Sequence, residues 1–396
     1  MSTHDVYLVP GFLGFVNLGR ITYFGHVRRV LDERLTALGL SARIHIVRTP
    51  PTASLPTRAA RLAETIDKTA HRGAALHLVG HSSGGLDVRL LTAPGALLPT
   101  AVDVERLAAR VRTVVTISTP HHGTPLASFF ATLRGQQLLQ ILSLNTIYVL
   151  HFGHLPISAL LWMGGMVLRY GNLVVNSELL DELFSRLLED FSVGRRRAVR
   201  ALLRDVVRDQ ALMLQLTPEA MEVFNASVLT RNSAHYGAVV TQAARPSFRA
   251  TFAAGLDPAA HVTHAVYSAL HQLIATAPGR EAPEPTPAQK QALKGAYGSI
   301  PSADASDGIV PTLSQTWGHV IHGAFADHLD ALGHFQDPAH DPPHVDWLMS
   351  GSGFDRARFE ALMDDVARFV AGPASPLRRR QSAPPKRTAR RPAEAR

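Results

Sequence analysis

Residues 80–84 read GHSSG, which puts Ser82 at the centre of a Gly-x-Ser-x-Gly pentapeptide. The apolar run Leu76–Val79 before it has the length of a buried strand, and the apolar spacing after it is helical. Small residues at such a junction let neighbouring chain pass close to a serine held in a strained turn. The turn lifts the hydroxyl off the sheet edge. It also leaves the first amides of the following helix unpaired, where they can hold an oxyanion. The predicted chemistry is attack by Ser82 on a carbonyl. Ser83 sits one residue into the helix, and its hydroxyl is expected to be structural.

A serine hydroxyl needs a base, and the base needs an orienting carboxylate. In the order serine, acid, histidine, both should lie downstream in loops after later strands. The segment SDGIVP at 306–311 offers Asp307, with Asp304 as a competitor. FADHLDALGHF at 325–335 offers His328, and a strand over His319–Ala324 fits between the two. That spacing would bring both loops to the sheet edge that carries Ser82.

Other histidines could suggest a metal. His121 and His122 are adjacent, His261 and His264 share a helix face, and His334, His340 and His344 cluster in a loop. There is no His-Glu-x-x-His pattern and no cysteine, so ordinary packed or loop histidines are expected. His121 is expected near the active end because its loop follows a core strand. A phosphate cradle is disfavoured, because G-x-x-x-x-G-K-[ST] is absent and no lysine lies near Ser82.

The elements that must position these groups alternate strand and helix. Strands are predicted at Val6–Val9, Ile44–Val47, Leu76–Val79 and Val111–Ile117, with helices over Val27–Leu38 and Leu62–Ala70 stopped by Gly39 and Gly73. This rhythm implies parallel βαβ units. It breaks after about residue 124. Residues 135–168 contain no Asp, Glu, Lys or Arg, and two amphipathic helices follow, the second beginning GRRRAVRALLRDVVRD. Strand patterning resumes near Val228 and at Tyr236–Val240, a Pro-rich linker covers 277–289, and a strand at His319–Ala324 and a helix at Phe354–Val370 close the body.

The uncharged stretch has three readings. Ile147–Leu168 is long enough to span a bilayer, but it holds His151, His154, Pro156, Gly164 and Gly165. An apolar lid over the site is the preferred reading, ahead of shallow membrane insertion and a true span. The basic helix over 195–208 could face anionic headgroups or simply be cap surface.

With 396 residues, 46% of them apolar, the chain can bury a large core, and one α/β domain with an insertion fits that length. The formal charge of +8 suggests a nucleic-acid partner until it is located: the last 22 residues hold eight Lys or Arg and one Glu, leaving the body near neutral. No nucleic-acid partner is expected, and that tail is too poor in apolar residues to fold. The N-terminus has no basic region before Val6 and no small-x-small site, so no secretory leader is expected. A cytoplasmic location, with membrane contact left open, follows.

Taken in order, VYLVPGFLG, LVGHSSGG, STPHHGTPLA, LTPEAMEVFN, DGIVP and DHLDALGHF make the chain resemble the α/β-hydrolase fold, and within it bacterial triacylglycerol lipases and serine esterases. The resemblance implies a mostly parallel central sheet flanked by helices, with a helical cap or lid insertion. The core would occupy 1–124 and 228–372, the cap 125–227 and the basic tail 373–396. It implies Ser82 as nucleophile, Asp307 as acid, His328 as base, and the Phe12 and Ser83 amides as the oxyanion hole. Where the family's first loop often reads His-Gly, Pro10 replaces the histidine, although Phe12 still follows Gly11. Some members bind calcium through an aspartate just after the catalytic histidine. Asp330 holds that position without evident partners, so no cofactor is expected and a structural calcium stays open.

The expected activity is hydrolysis of carboxylic esters with apolar acyl chains through an acyl-enzyme. An acyltransferase using the same triad is the alternative, followed by a non-catalytic lipid-binding module. The expected partner is a lipid or ester substrate, with possible peripheral contact to a lipid interface.

Overall fold

A computed structural model describes residues 4–12, 23–152, 177–246, 258–277, 283–337, 339 and 346–372. The basic tail, His340, His344 and residues 153–168 of the uncharged stretch lie outside the described residues.

Six parallel strands form one sheet: β1 (His4–Val9), β2 (Ala42–Ile46), β3 (Ala75–His81), β4 (Val111–Ile117), β5 (His235–Gln242) and β6 (His319–Phe325), ordered β2-β1-β3-β4-β5-β6. Each predicted strand in this set lies within or beside an observed one. The alternation of β1 explains its burial on both sides. Val6 and Leu8 enter one core, while Tyr7 and Val9 enter another. Helices α1 (Gly25–Ala37) and α13 (Arg356–Ala371) cover the first face; α2 (Leu55–Thr69) and α3 (Ser83–Thr92), with the short α4 (Val104–Ala108), cover the second. α2 begins about two turns before its apolar run because Ser54 caps it and a proline sits in its first turn.

The order matters for function. From β1 the chain moves to β2 on one side and then back to β3 on the other. The crevice outside the carboxyl ends of β1 and β3 is therefore a topological switch point, where open α/β sheets place ligands.

Among the described residues six helices run between β4 and β5: α5 (Pro125–Phe130), α6 (Leu133–Phe152), α7 (Ser177–Glu189), α8 (Val193–Arg208), α9 (Ala211–Gln215) and α10 (Pro218–Ser227). Their apolar sides, including Leu139, Leu142, Leu188, Leu202 and Met213, join the core on the first face. Among the described residues no helix is long and apolar enough to cross a membrane. Between β5 and β6 lie α11 (Pro258–Ala275) and α12 (Pro287–Tyr297).

Two expectations are corrected. No strand forms at Val228, where the chain leaves α10 as coil; the apolar pattern there is too short to pair. The Pro-rich linker also ends earlier than its composition implies. Thr286 and Gln289 form a capping box with a proline in the first turn, so the last prolines start α12 instead of preventing it.

Candidate active site

Ser82 caps α3 directly after β3 with φ 55° and ψ −133°, one of two non-glycine residues with positive φ among those described. Such backbone costs about 1–3 kcal/mol and persists only where packing enforces it. The glycines show how it is enforced. A methyl group on Gly84 would meet the Val9 carbonyl oxygen at 2.3 Å, one on Gly80 the Gly84 carbonyl at 2.4 Å, and one on Gly11 the Ser82 Cβ at 2.6 Å. The elbow and the loop after β1 are thus packed backbone to backbone.

Pairing of Val9 with Gly80 sets the register that brings Phe12 beside Ser82. Ser83 is the first residue of α3, so its amide lacks an intrahelical partner. Among the described residues neither that amide nor the Phe12 amide donates to another acceptor. The Ser83 hydroxyl is buried without a hydrogen-bond partner. Buried Arg58 braces this loop: it donates to the Pro10 carbonyl at 2.8 Å and grips the fully buried Asp87 of α3 at 2.8 Å. Burial pushes the Asp87 carboxyl up to about 6 even beside that guanidinium.

Asp307 lies at the carboxyl end of β5 and is fully buried. Its Oδ1 accepts the amides of Ile309 at 3.0 Å and Val310 at 2.7 Å. Its Oδ2 accepts from the Thr241 hydroxyl at 2.9 Å, from Gln315 Nε2 at 3.3 Å and from His328 Nδ1 at 2.8 Å. These five donors fix the carboxyl group in place. Because Nδ1–H points at Asp307, Nε2 of His328 is left as the acceptor of the ring. Asp304 instead pairs with exposed Arg245.

Ser82 and His328 line one apolar cavity of about 70 Å³, together with Phe12, Phe130, Leu139, Leu142 and Trp347. Among the described residues no hydrogen bond joins Ser82 to His328. Such contacts often tighten only once a substrate is bound. The cavity is far smaller than the roughly 300–1,000 Å³ of ordinary ligand pockets. Phe130 of α5 and Leu139 and Leu142 of α6 form part of its wall.

Two residues that the sequence reading passed over tie these parts together. His81 Nε2 lies 2.9 Å from the His328 carbonyl, which can only accept, so Nε2 carries the proton. Nδ1 then accepts from the Tyr23 hydroxyl at 2.5 Å, and the Gly11 amide donates to that hydroxyl at 3.4 Å. Burial, then the charge of neighbouring His328, holds the His81 pKa well below its ordinary value. The chain Gly11–Tyr23–His81–His328 therefore links the loop after β1 to the loop after β6. His81 lies within GHSSG itself, so the motif named the residue but not its bonds.

Three of the other histidines that the sequence groups together are held by protein contacts. His121 is fully buried, contacts Arg89 at 3.1 Å and Thr116 at 3.0 Å, stacks on Trp317, and does not line the Ser82 cavity. His264 contacts the Met349 carbonyl and His334 that of Tyr23.

Asp330 has the partners that the sequence did not reveal. Ligand atoms of Asp327, Asp330 and Asp346 lie within 4.8 Å of one another. Among the described residues no Lys or Arg pairs with them, and Asp327 Oδ2 is buried without a partner. Burial, reinforced by their mutual repulsion, drives all three carboxyls well above the ordinary range. An all-oxygen, uncompensated acidic cluster fits a hard divalent cation such as calcium.

No protein-family model matches the chain, and no curated protein matches it. Among solved structures, lipase 1 from Pelosinus fermentans is 17% identical over 93% of this chain and 99% of its own, with a TM-score of 0.49. EstA from Clostridium botulinum is 17% identical over 92% and 88%, with a TM-score of 0.48. A metagenomic carboxyl esterase is 17% identical over 93% and 75%, with a TM-score of 0.46. Likeness at this level assigns no chemistry to the chain. The α/β-hydrolase fold is visible in the molecule itself: a parallel sheet covered by helices on both faces, with a strained serine between strand and helix at its switch point.

Proposed function

We propose that the chain is a serine hydrolase of carboxylic esters with apolar acyl groups. The observation that carries this reading is that His328, bonded to buried Asp307, shares one apolar cavity with Ser82 at its strained elbow. Ser82 Oγ attacks the ester carbonyl while His328 Nε2 takes its proton. Asp307 holds the imidazole in the required tautomer and stabilises the imidazolium. The Phe12 and Ser83 amides receive the oxyanion. His328 then protonates the leaving alcohol. Water activated by the same nitrogen attacks the acyl-enzyme and releases the acid and Ser82.

The walls support an apolar acyl group, since Phe130, Leu139, Leu142 and Trp347 offer it no hydrogen-bonding charge. The helices between β4 and β5 serve as the cap, and long chains enter when α6 shifts. Asp327, Asp330 and Asp346 would hold a divalent cation, whose positive charge would balance their carboxylates. These residues flank His328, and Asp327 also accepts from the indole of cavity-lining Trp347 at 2.9 Å. Their part is to order the His328 loop, away from the reacting atoms.

The test is a series of aryl esters of increasing acyl length, with products analysed in the presence of a defined alcohol. Free acid should dominate, and Ser82→Ala should abolish turnover. Predominant transfer to the alcohol would replace hydrolysis with acyl transfer. Full activity of Ser82→Ala would end the proposal.

A further inference from the structure

On the far side of α6 from the Ser82 cavity lies a second, larger concavity. Leu139 and Leu142 of α6 line the cavity, whereas Gln136, Gln137 and Gln140 of the same helix line a groove of about 960 Å³ shared with α7 and α8. Gln140 donates to the Leu203 carbonyl at 2.9 Å and fixes α6 against α8. The floor is apolar: Phe184, Leu188 and Leu203 are buried, and the exposed side chains of Leu133 and Val207 stand at the rim.

Arg197, Arg200 and Arg204 line the same groove. Their spacing places them along one face of α8. Arg186 on α7 is paired with Glu182, but among the described residues no carboxylate pairs with these three arginines. A groove with a greasy floor and one uncompensated cationic wall complements an amphiphile with an anionic head.

We infer that this groove binds one long-chain carboxylate, its head on Arg197, Arg200 and Arg204 and its chain along Phe184, Leu188 and Leu203. A single molecule suits the shape better than a bilayer does. Four large apolar residues of α8, Val199, Leu202, Leu203 and Val206, are turned into the protein, only Val193 near its start and Val207 at the rim are exposed, and a planar surface cannot reach a recessed floor. Ester hydrolysis at Ser82 would release such a carboxylate across α6. The binding itself does not depend on Ser82 being a nucleophile.

The chain has no cysteine. Ser185, which lines the groove, can therefore be replaced as Ser185→Cys and labelled at one position with an environment-sensitive fluorophore. Dodecanoate below its micellar concentration should shift the emission saturably in the full chain, and equally when Ser82→Ala is added. Dodecanol should bind much more weakly. Arg200→Glu with Arg204→Glu should weaken dodecanoate about tenfold, the scale expected for two partly exposed charge contacts, with an unchanged circular dichroism spectrum. Equal binding of dodecanol would overturn the inference, as would indifference to the arginine changes. A response only to anionic phospholipid vesicles would make this a membrane face instead. Concentration-dependent dimerisation abolished by the arginine changes, without dodecanoate binding, would make it a contact between copies. Loss of ester hydrolysis would leave the result untouched, and failure of dodecanoate to bind would leave the Ser82 reading untouched.

Discussion

Replacing His81 by leucine tests whether the two active-site loops are held as one unit. The change nearly conserves volume but removes both ring nitrogens. The His328 carbonyl loses its donor at 2.9 Å and the Tyr23 hydroxyl loses its acceptor at 2.5 Å. Each orphaned buried group costs about 1–3 kcal/mol, so His81→Leu should lower unfolding stability by about 2–6 kcal/mol. Activity should suffer through position, since a 1 Å misplacement of a reacting group costs roughly 100-fold. The expected result is a kcat about 100-fold lower on a short aryl ester with KM little changed. Tyr23→Phe breaks the chain one link earlier and keeps the bond to His328, so it should lose about 1–3 kcal/mol and less activity. The combined variant should be less impaired than the sum of the two, because they share one bond. Urea unfolding and steady-state kinetics read both effects. If His81→Leu keeps kcat within threefold and stability within about 0.5 kcal/mol, the network positions nothing and the reasoning fails.

Gly84→Ala should fold with difficulty and lose at least roughly 100-fold in kcat/KM, because its methyl group must displace the Val9 carbonyl from 2.3 Å and with it the Phe12 amide; near-normal turnover would contradict the backbone packing described for the elbow. Leu142→Ala removes part of the wall of a cavity of about 70 Å³ and should move the preferred acyl length upward in the aryl-ester series; an unchanged preference would place the acyl chain elsewhere. Acid stability should depend on His77, whose pKa is lowered, chiefly by burial, from 6.5 to about 4. Because the folded state disfavours its protonation, its contribution is complete above pH 6.5 and is lost as pH falls toward 4, by about 3 kcal/mol in all. Chemical denaturation across that window should show a shallower fall for His77→Gln than for the parent, and parallel curves would refute the assignment.

Much of this was legible from residue order. Strands announced themselves as apolar runs bounded by glycine, and Ser82 lay where a strand pattern turned into a helix pattern. Asp307 stood out from Asp304 only through the Gly-Ile-Val-Pro that follows, and those residues matter physically: Ile309 and Val310 supply the amides that grip Oδ1. What stayed hidden depends on contacts between distant segments. Tyr23 and His81 meet across 58 residues. Gln315, which bonds Asp307 and Thr241, carries no motif. Asp346 joins Asp327 and Asp330 only because the chain folds back after the His328 loop. The helix α12 was concealed by its composition: prolines that look like a linker can equally occupy a first turn.

The central claim is that Ser82 is a nucleophile activated by His328. Treatment of the full chain with a fluorophosphonate in the presence of detergent, followed by peptide mass spectrometry, tests it most directly. The account predicts one adduct per chain, on Ser82 and not on Ser83, forming roughly 100- to 10,000-fold more slowly in His328→Ala, the range that a general base contributes. An unlabelled Ser82, or labelling that is indifferent to His328, would contradict it.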